Sequence, residues 1–493
     1  MNRILLILPI LLPILGGIGL SAFNFEKRTH RQIYVMSIIV INTILTLLLI
    51  VQPDIPTFKV ISLTKELSIS LKIDGLSKMF ACLVAILWPI TTLYSFEYMK
   101  HEGKENKFFT YFTMTYGVVV GIAFSANLLT LYLFYELMTL ITLPLVMHAM
   151  DEKARYAGKK YLLYSMVGAA LSFIGIMFIN SYGNSLDFVM GGVLDPNSIT
   201  GHIELLRLAF VLAFFGFGVK AAVFPFHGWL PSASIAPTPV SALLHAVAVV
   251  KGGIFAIIRI TYYSFGTEIL LGSWAQYVML GAIIITIVYG SAKALATNHL
   301  KRRLAYSTVS QLSYVLLGVG LMTPAGLIAG LMHLVFHAIM KICLFFCVGA
   351  IIYKTHREYT YQLDGIGKAM PITMACFAIT SFGLTGIPPL AGFISKLRLG
   401  VAAAQSQNFL GYIGIIALMV SALLTVFYLV FLVGRIYFPS SDMDLVKANQ
   451  DVKEANYMMT VPIALLALAT ILFGVYSMPI GNFFEKIVVG MIK

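Results

Sequence analysis

Fourteen stretches of about twenty mostly apolar residues follow one another along this chain, joined by short polar segments. This pattern limits the fold more than any motif does. A helix rises 1.5 Å per residue, so twenty residues cross the roughly 30 Å hydrocarbon layer of a bilayer. Backbone N–H and C=O groups find no water there and must bond within their own segment, which helices do. The expected spans are about 4–22, 31–51, 75–96, 108–126, 128–148, 161–181, 205–224, 239–263, 274–292, 304–321, 325–353, 371–397, 409–434 and 458–480. The stretch 4–22 reads as a helix and not as a cleaved leader, since no small-residue cleavage site follows it. The spans 108–126 and 128–148 abut at Asn127, which leaves room for a tight turn only. The fold class is therefore an all-α polytopic membrane protein of about 14 transmembrane helices.

Composition closes the other routes. Of 493 residues, 59% are apolar and 11% charged, against about 25% charged in a soluble domain. Too little charge is present to cover a water-facing surface. A soluble enzyme, a disordered chain and a nucleic-acid binder are excluded, and the bilayer is the expected partner. The net charge of +13, from 34 basic and 21 acidic residues, then reports orientation. Alternate joins carry clusters such as Lys27, Arg28 and Arg31, or Lys301, Arg302 and Arg303, nineteen basic residues on one side in all. The other side holds six: Arg3, Lys59, Lys65, Lys72, Lys486 and Lys493. Basic joins stay cytoplasmic. The expectation is a multi-pass cell-membrane protein with both termini external. Cys82, Cys343, Cys347 and Cys376 all lie in apolar stretches, with no disulfide framework or iron–sulfur cradle. No cofactor and no metal are expected, and any redox driving force belongs to partner subunits.

Two spans contain helix breakers. The seventh runs into Pro225 just beyond Lys220, and the twelfth holds Gly383, Gly386, Pro388, Pro389 and Gly392 ahead of Lys396. Counted from the fourth span, each break falls in the fourth helix of a five-helix unit. Five is odd, so the second unit is inverted relative to the first, as in inverted-repeat transporters. The chain divides accordingly into 1–97, a first repeat over 108–263, an inverted repeat over 274–437, and a last helix over 458–480.

The charges inside these spans carry the chemistry. Glu136 is the one mid-span acid, in Phe134-Tyr135-Glu136-Leu137. An ionised carboxylate there costs several kcal/mol unless paired or hydrated. Lys220, Lys251, Lys341 and Lys396 also lie within spans. Burial favours the neutral amine and a nearby carboxylate the ammonium, so such groups can switch. One acid cannot neutralise four lysines as static pairs. His333, His337 and Lys341 recur at i, i+4 and i+8, a row about 12 Å long on one helical face. His245 lies at the start of the eighth span. Histidine relays protons through either ring nitrogen. Packing histidines and static ion pairs are the alternative reading of the same residues. Gly216-Phe217-Gly218-Val219-Lys220-Ala221 matches a dinucleotide fingerprint by letters only, because no strand precedes it.

Four longer stretches resemble a known family. They are Lys220-Ala221-Ala222-Val223-Phe224-Pro225-Phe226-His227-Gly228-Trp229-Leu230-Pro231, Ala236-Pro237-Thr238-Pro239-Val240-Ser241-Ala242-Leu243-Leu244-His245, Lys301-Arg302-Arg303-Leu304-Ala305-Tyr306-Ser307-Thr308-Val309-Ser310-Gln311, and Gly386-Ile387-Pro388-Pro389-Leu390-Ala391-Gly392-Phe393-Ile394-Ser395-Lys396. Over about 75 to 435 the chain resembles the antiporter-like subunits of respiratory complex I, Mrp-type cation/proton antiporters and energy-converting membrane hydrogenases. It looks most like the Mrp D subunit or its hydrogenase relative, although Leu244 to Lys251 departs from a typical D subunit. The resemblance implies fourteen helices and two inverted repeats. It implies that Glu136 pairs with Lys220, that Lys251 is the central lysine, that His333, His337 and Lys341 form a polar axis, and that Lys396 is the terminal group. It further implies proton translocation beside other membrane subunits of one complex, with Na+ as the candidate counter-ion. A non-conducting scaffold subunit is the competing class. A stand-alone transporter of organic substrates is disfavoured, because no span offers a substrate-sized set of polar groups.

Overall fold

The computed structural model describes residues 3–23, 25–53, 55–64, 67–195, 199–439 and 449–489. Lys65, Lys447 and Lys493, which belong to the loop charges, lie outside them. Among the described residues, eleven helices are long and apolar enough to cross a membrane. The first segments are α1 (Leu8–Phe23), α2 (Arg28–Val51), α3 (Gly75–Glu102), α4 (Glu105–Phe124), α5 (Leu128–Val146) and α6 (Glu152–Tyr182). The Asn127 turn forms as expected, with the Asn127 side chain accepting from the Thr130 amide to cap α5.

The seventh expected span appears as α7 (Ile203–Lys220) and, past a break, the short α8 (Trp229–Ala233). The eighth is also interrupted, which its apolar sequence does not announce. It runs as α9 (Thr238–Ala246) and α10 (Val249–Arg259), and widens into a π turn over Ile260–Phe265. Then come α11 (Trp274–Ala296), α12 (Leu300–Gly320) and α13 (Pro324–Thr355). The twelfth expected span is α14 (Pro371–Thr385) and α15 (Ala391–Gln405). The last are α16 (Phe409–Thr425), α17 (Phe431–Tyr437), α18 (Tyr457–Val475) and a separate α19 (Ser477–Val488).

Two features depart from an all-helical reading with plain loops. The stretch 52–74 contains a hairpin, β1 (Phe58–Ser62) paired antiparallel with β2 (Ser68–Leu71). Its second strand continues onto the tips of neighbouring helices. The Lys72 amide donates to the Phe124 carbonyl and the Ala126 amide to Ser70. The stretch 183–193 joins the same layer through Leu128 to Leu186, Phe188 to Ala126, Gly191 to Tyr262 and Val193 to Ser264. These backbone bonds form a lid over the ends of α4, α5 and α10, because each loop amide there needs a carbonyl partner.

Burial is uneven in the way lipid requires. The segment Thr238–Phe265 is buried throughout, and α13 is buried along nearly its whole length. The outer helices instead show apolar side chains such as Leu15, Ile41, Ile416 and Leu465. The polar residues thus sit on central helices, walled by apolar ones.

The α14/α15 break is built on glycine. A Cβ at Gly392 would overlap the Gly383 carbonyl oxygen, and one at Gly474 would overlap that of Pro389. Gly400, mid-helix in α15, meets nothing within 4 Å. We therefore expect Gly392→Ala to cost about 1–3 kcal/mol through overpacking, read as a lowered melting temperature of the purified complex. Gly400→Ala should be neutral or stabilising by about 0.5–1 kcal/mol, since it removes helix-interior glycine entropy.

Candidate functional site

The broken helix α7 ends at Lys220, whose side chain is 1% exposed while that of Glu136 is 30% exposed. The ammonium lies 3.5 Å from Glu136 Oε1 and 3.3 Å from the Tyr135 ring centroid, and donates to the Tyr135 carbonyl. The expected pair is present, but the acid is its outer member. Glu136 stands on α5 at the flank of the bundle and not in its centre.

A second group forms where α10 meets α13. Lys251 Nζ is 2.7 Å from His337 Nδ1, both fully buried. The rings of His337 and His333 stack with centroids 6.1 Å apart. His333 Nδ1 is 2.9 Å from Ser395 Oγ, and its Nε2 is 3.1 Å from Gln311 Oε1. Tyr314 lies 5.3 Å from the His333 ring and 5.3 Å from the Lys396 ammonium. The helical spacing read in the sequence thus brings together Lys251, His337, His333 and the neighbourhood of Lys396.

Lys341 and Lys396 have no acid partner among the described residues. Lys341 donates to Ser307 Oγ at 2.5 Å and to the Leu304 carbonyl at 3.3 Å. Lys396 reaches back to the Leu384 and Thr385 carbonyls at 2.6 and 2.9 Å. Those carbonyls end α14, where the helix break frees them and the dipole is negative. The twelfth-span break therefore supplies the counter-charge for its own lysine.

His245 lies in the first part of the eighth span, near the end of α9, fully buried and two residues before the interruption at Val247 and Ala248. Among the described residues both ring nitrogens lack a hydrogen-bond partner, and Phe345 packs on the ring at 5.0 Å. Nearer the end of the broken seventh span, His227 lies between the rings of Phe224 and Tyr289.

A family profile described as "NADH:quinone oxidoreductase/Mrp antiporter, TM" matches residues 125–425, which spans both breaks and every residue of the buried row. The chain belongs to this family. A second profile, "NADH-Ubiquinone oxidoreductase (complex I), chain 5 N-terminus", matches residues 61–109. Among curated relatives, NAD(P)H-quinone oxidoreductase chain 5 of Picosynechococcus is 31% identical, over 98% of this chain and 77% of that one. The A1 subunit of the Na(+)/H(+) antiporter of Staphylococcus haemolyticus is 29% identical, over 96% of this chain but 60% of that protein's length. Two solved structures share the fold. The membrane-bound sulfane sulfur reductase, an archaeal respiratory membrane complex, matches with a TM-score of 0.87 at 22% identity, covering 100% of this chain and 98% of that one. The Mrp complex of Dietzia matches with a TM-score of 0.85 at 20% identity, again over 100% and 98%.

Within this antiporter-type fold, several further residues meet at the site. Tyr135, Ser307, Gln311, Tyr314 and Ser395 all touch the buried lysines or histidines. Ser307, Gln311 and Ser395 stand inside the motif stretches, so the sequence holds a signal for them. Uncharged hydroxyls and amides are common in spans, and nothing in their type marks them as partners. Arg259 lies inside the eighth expected span, and that in-span charge is a signal of a buried partner. It is 1% exposed and paired with Asp74. Burial alone would raise the Asp74 carboxyl, but the Arg259 guanidinium more than offsets this and holds it at about 2.

Ser307 yields a direct test. Ser307→Ala removes a hydrogen bond to a charged group, worth about 1.5–3 kcal/mol. Coupled transport should fall on the order of tenfold or more, by the same conversion, with assembly unchanged on a native gel. Ser307→Thr keeps the hydroxyl and should retain most of the activity.

Proposed function

We propose that this chain is the proton-translocating, antiporter-like subunit of a larger membrane complex. The observation that carries this reading is the buried row from Lys251 through His337 and His333 to Ser395, beside Lys396. Three of the four lysines within the spans are held by imidazole, hydroxyl or carbonyl instead of carboxylate. Such partners stabilise an ammonium without locking it, so each lysine can give up or gain a proton as its neighbours change charge. Glu136 acts on Lys220 as the switch at one end of the row, and Lys396 serves as the release group at the other. His245 is the weaker member, an unbonded imidazole beside the α9/α10 interruption.

The fold supports the finer architecture. Counting α7/α8, α9/α10, α14/α15 and α16/α17 each as one interrupted pass, and leaving out the 12-residue α19 as too short to cross, gives fourteen passes. The two proline-containing breaks then occupy the fourth helix of each five-helix unit, over 108–263 and 274–437, which fits inverted repeats. The basic joins face the cytoplasm, and both termini face outward. The D-type likeness read in the sequence is not the one that the relatives favour. Those relatives are chain 5 of the quinone oxidoreductases and the A-type antiporter component, and the N-terminal profile is that of chain 5. We place the chain on that branch, with protons as cargo, Na+ as the counter-ion in an antiporter setting, and other membrane subunits as partners.

Flux of protons or Na+ in inverted vesicles tests the reading, with assembly checked on native gels. Glu136→Gln and Lys220→Ala should each abolish coupled transport. Glu136→Asp should keep part of it, because the charge remains and is drawn back by one methylene. Lys396→Ala should block net transport, whereas Lys396→Glu should retain a fraction. Normal flux in Glu136→Gln would leave the acid as a packing group and favour a scaffold role. Orientation is tested separately by cysteine labelling, which should reach 187–195 from outside and 153–160 only from the cytoplasm.

A further inference from the structure

At the lidded end of α10 stands a charge pair that the transport row does not use. Arg259 follows Lys251 by eight residues on the same helix, about 12 Å further toward the lid. Its Nη1 donates to Asp74 Oδ2 at 2.5 Å, and its Nη2 to Asp74 Oδ1 at 2.8 Å and Ser77 Oγ at 3.0 Å. The guanidinium carbon lies 4.4, 4.7 and 5.0 Å from the ring centroids of Tyr263, Phe188 and Phe255. Phe188 comes from the 183–193 stretch, whose backbone bonds tie it to α5 and to the end of α10.

The pair is polarised. The arginine side chain is 1% exposed and the aspartate 17%, so the cation faces inward and the acid outward. A guanidinium does not release its proton near neutral pH, and so cannot pass one on. Asp74 offsets that charge from the outer side, so in this ring-walled, low-dielectric setting a hydronium or Na+ coming from Lys251 meets the positive end of the pair first. Lys251 by contrast hydrogen-bonds His337 alone among the described residues, and stands about two helical turns from Arg259 on α10.

We propose that the Arg259–Asp74 pair is a cation-excluding plug closing the direct route from Lys251 outward along α10, so that a proton on Lys251 leaves only sideways, along the row toward Lys396. This rests on the transport reading given above. It adds a positioning role for two residues outside the row. A purely structural tie would predict something different, since breaking one ion pair from either side would loosen the lid equally.

The test uses the whole complex in proteoliposomes carrying a pH dye, with an imposed proton gradient and no Na+. Arg259→Met removes the fixed charge and leaves Asp74 as a lone acid able to take up protons. Passive proton leak should rise at least fivefold. Asp74→Asn breaks the same pair but keeps the guanidinium, and should leak no more than the parent protein. Lys251→Ala added to Arg259→Met should remove the excess leak. Equal leak from Arg259→Met and Asp74→Asn, an excess leak that survives loss of Lys251, or a tight Arg259→Met complex would each overturn the plug. If Arg259→Met does not accumulate, Arg259→Gln carries the same expectation. Failure of both to assemble while Asp74→Asn assembles assigns the arginine to folding and overturns the proposal too. Coupled transport by the parent complex in the same vesicles tests the transport reading independently of this leak asymmetry.

Discussion

An ammonium inside a bilayer has to find electron-rich atoms, and a chain with one mid-membrane carboxylate cannot supply them as salt bridges. The structure answers with backbone and neutral side chains. Lys396 rests on the carbonyls that end α14, Lys341 on a serine and a carbonyl, and Lys251 on an imidazole. A neutral partner holds an amine and an ammonium with less difference in energy than a carboxylate does. The helix breaks therefore serve chemistry as much as shape. Each interruption exposes carbonyls that a continuous helix would have consumed.

That requirement orders the rest of the molecule. Breaks are tolerable in hydrocarbon only when other protein surrounds them, which is why Thr238–Phe265 and α13 occupy the buried centre. Glycines at the α14/α15 crossing let backbones approach where side chains would not fit. The hairpin and the 183–193 stretch then close one end with backbone hydrogen bonds, and Arg259 with its ring walls stands beneath that closure. A row of buried polar groups and a closed end both follow from one electrostatic constraint.

Much of the site was legible as one-dimensional spacing. His333, His337 and Lys341 at four-residue intervals share a helix face whatever packs against it, and Lys220 before Pro225 marks a break in any context. What was hidden follows from distance along the chain. Ser307 meets Lys341 across 34 residues, and Ser395 meets His333 across 62. Arg259 is a charge inside a span, but its partner Asp74 lies 185 residues away. The α9/α10 interruption gave no signal, because Val247 and Ala248, where it falls, are neither proline nor glycine.

The apolar runs by themselves determined that this is a helical membrane chain, since twenty apolar residues in lipid have no other way to satisfy their backbone. The charges inside those runs marked the candidate site residues, because burying them unpaired costs too much to be incidental. Only the tertiary structure decided which charge meets which partner. It set Glu136 at the flank, stacked the two histidines, and turned the loops at 52–74 and 183–193 into a lid. Helix periodicity is a local property of the backbone. Pairing between helices depends on packing among segments hundreds of residues apart, and a single sequence carries no measure of that.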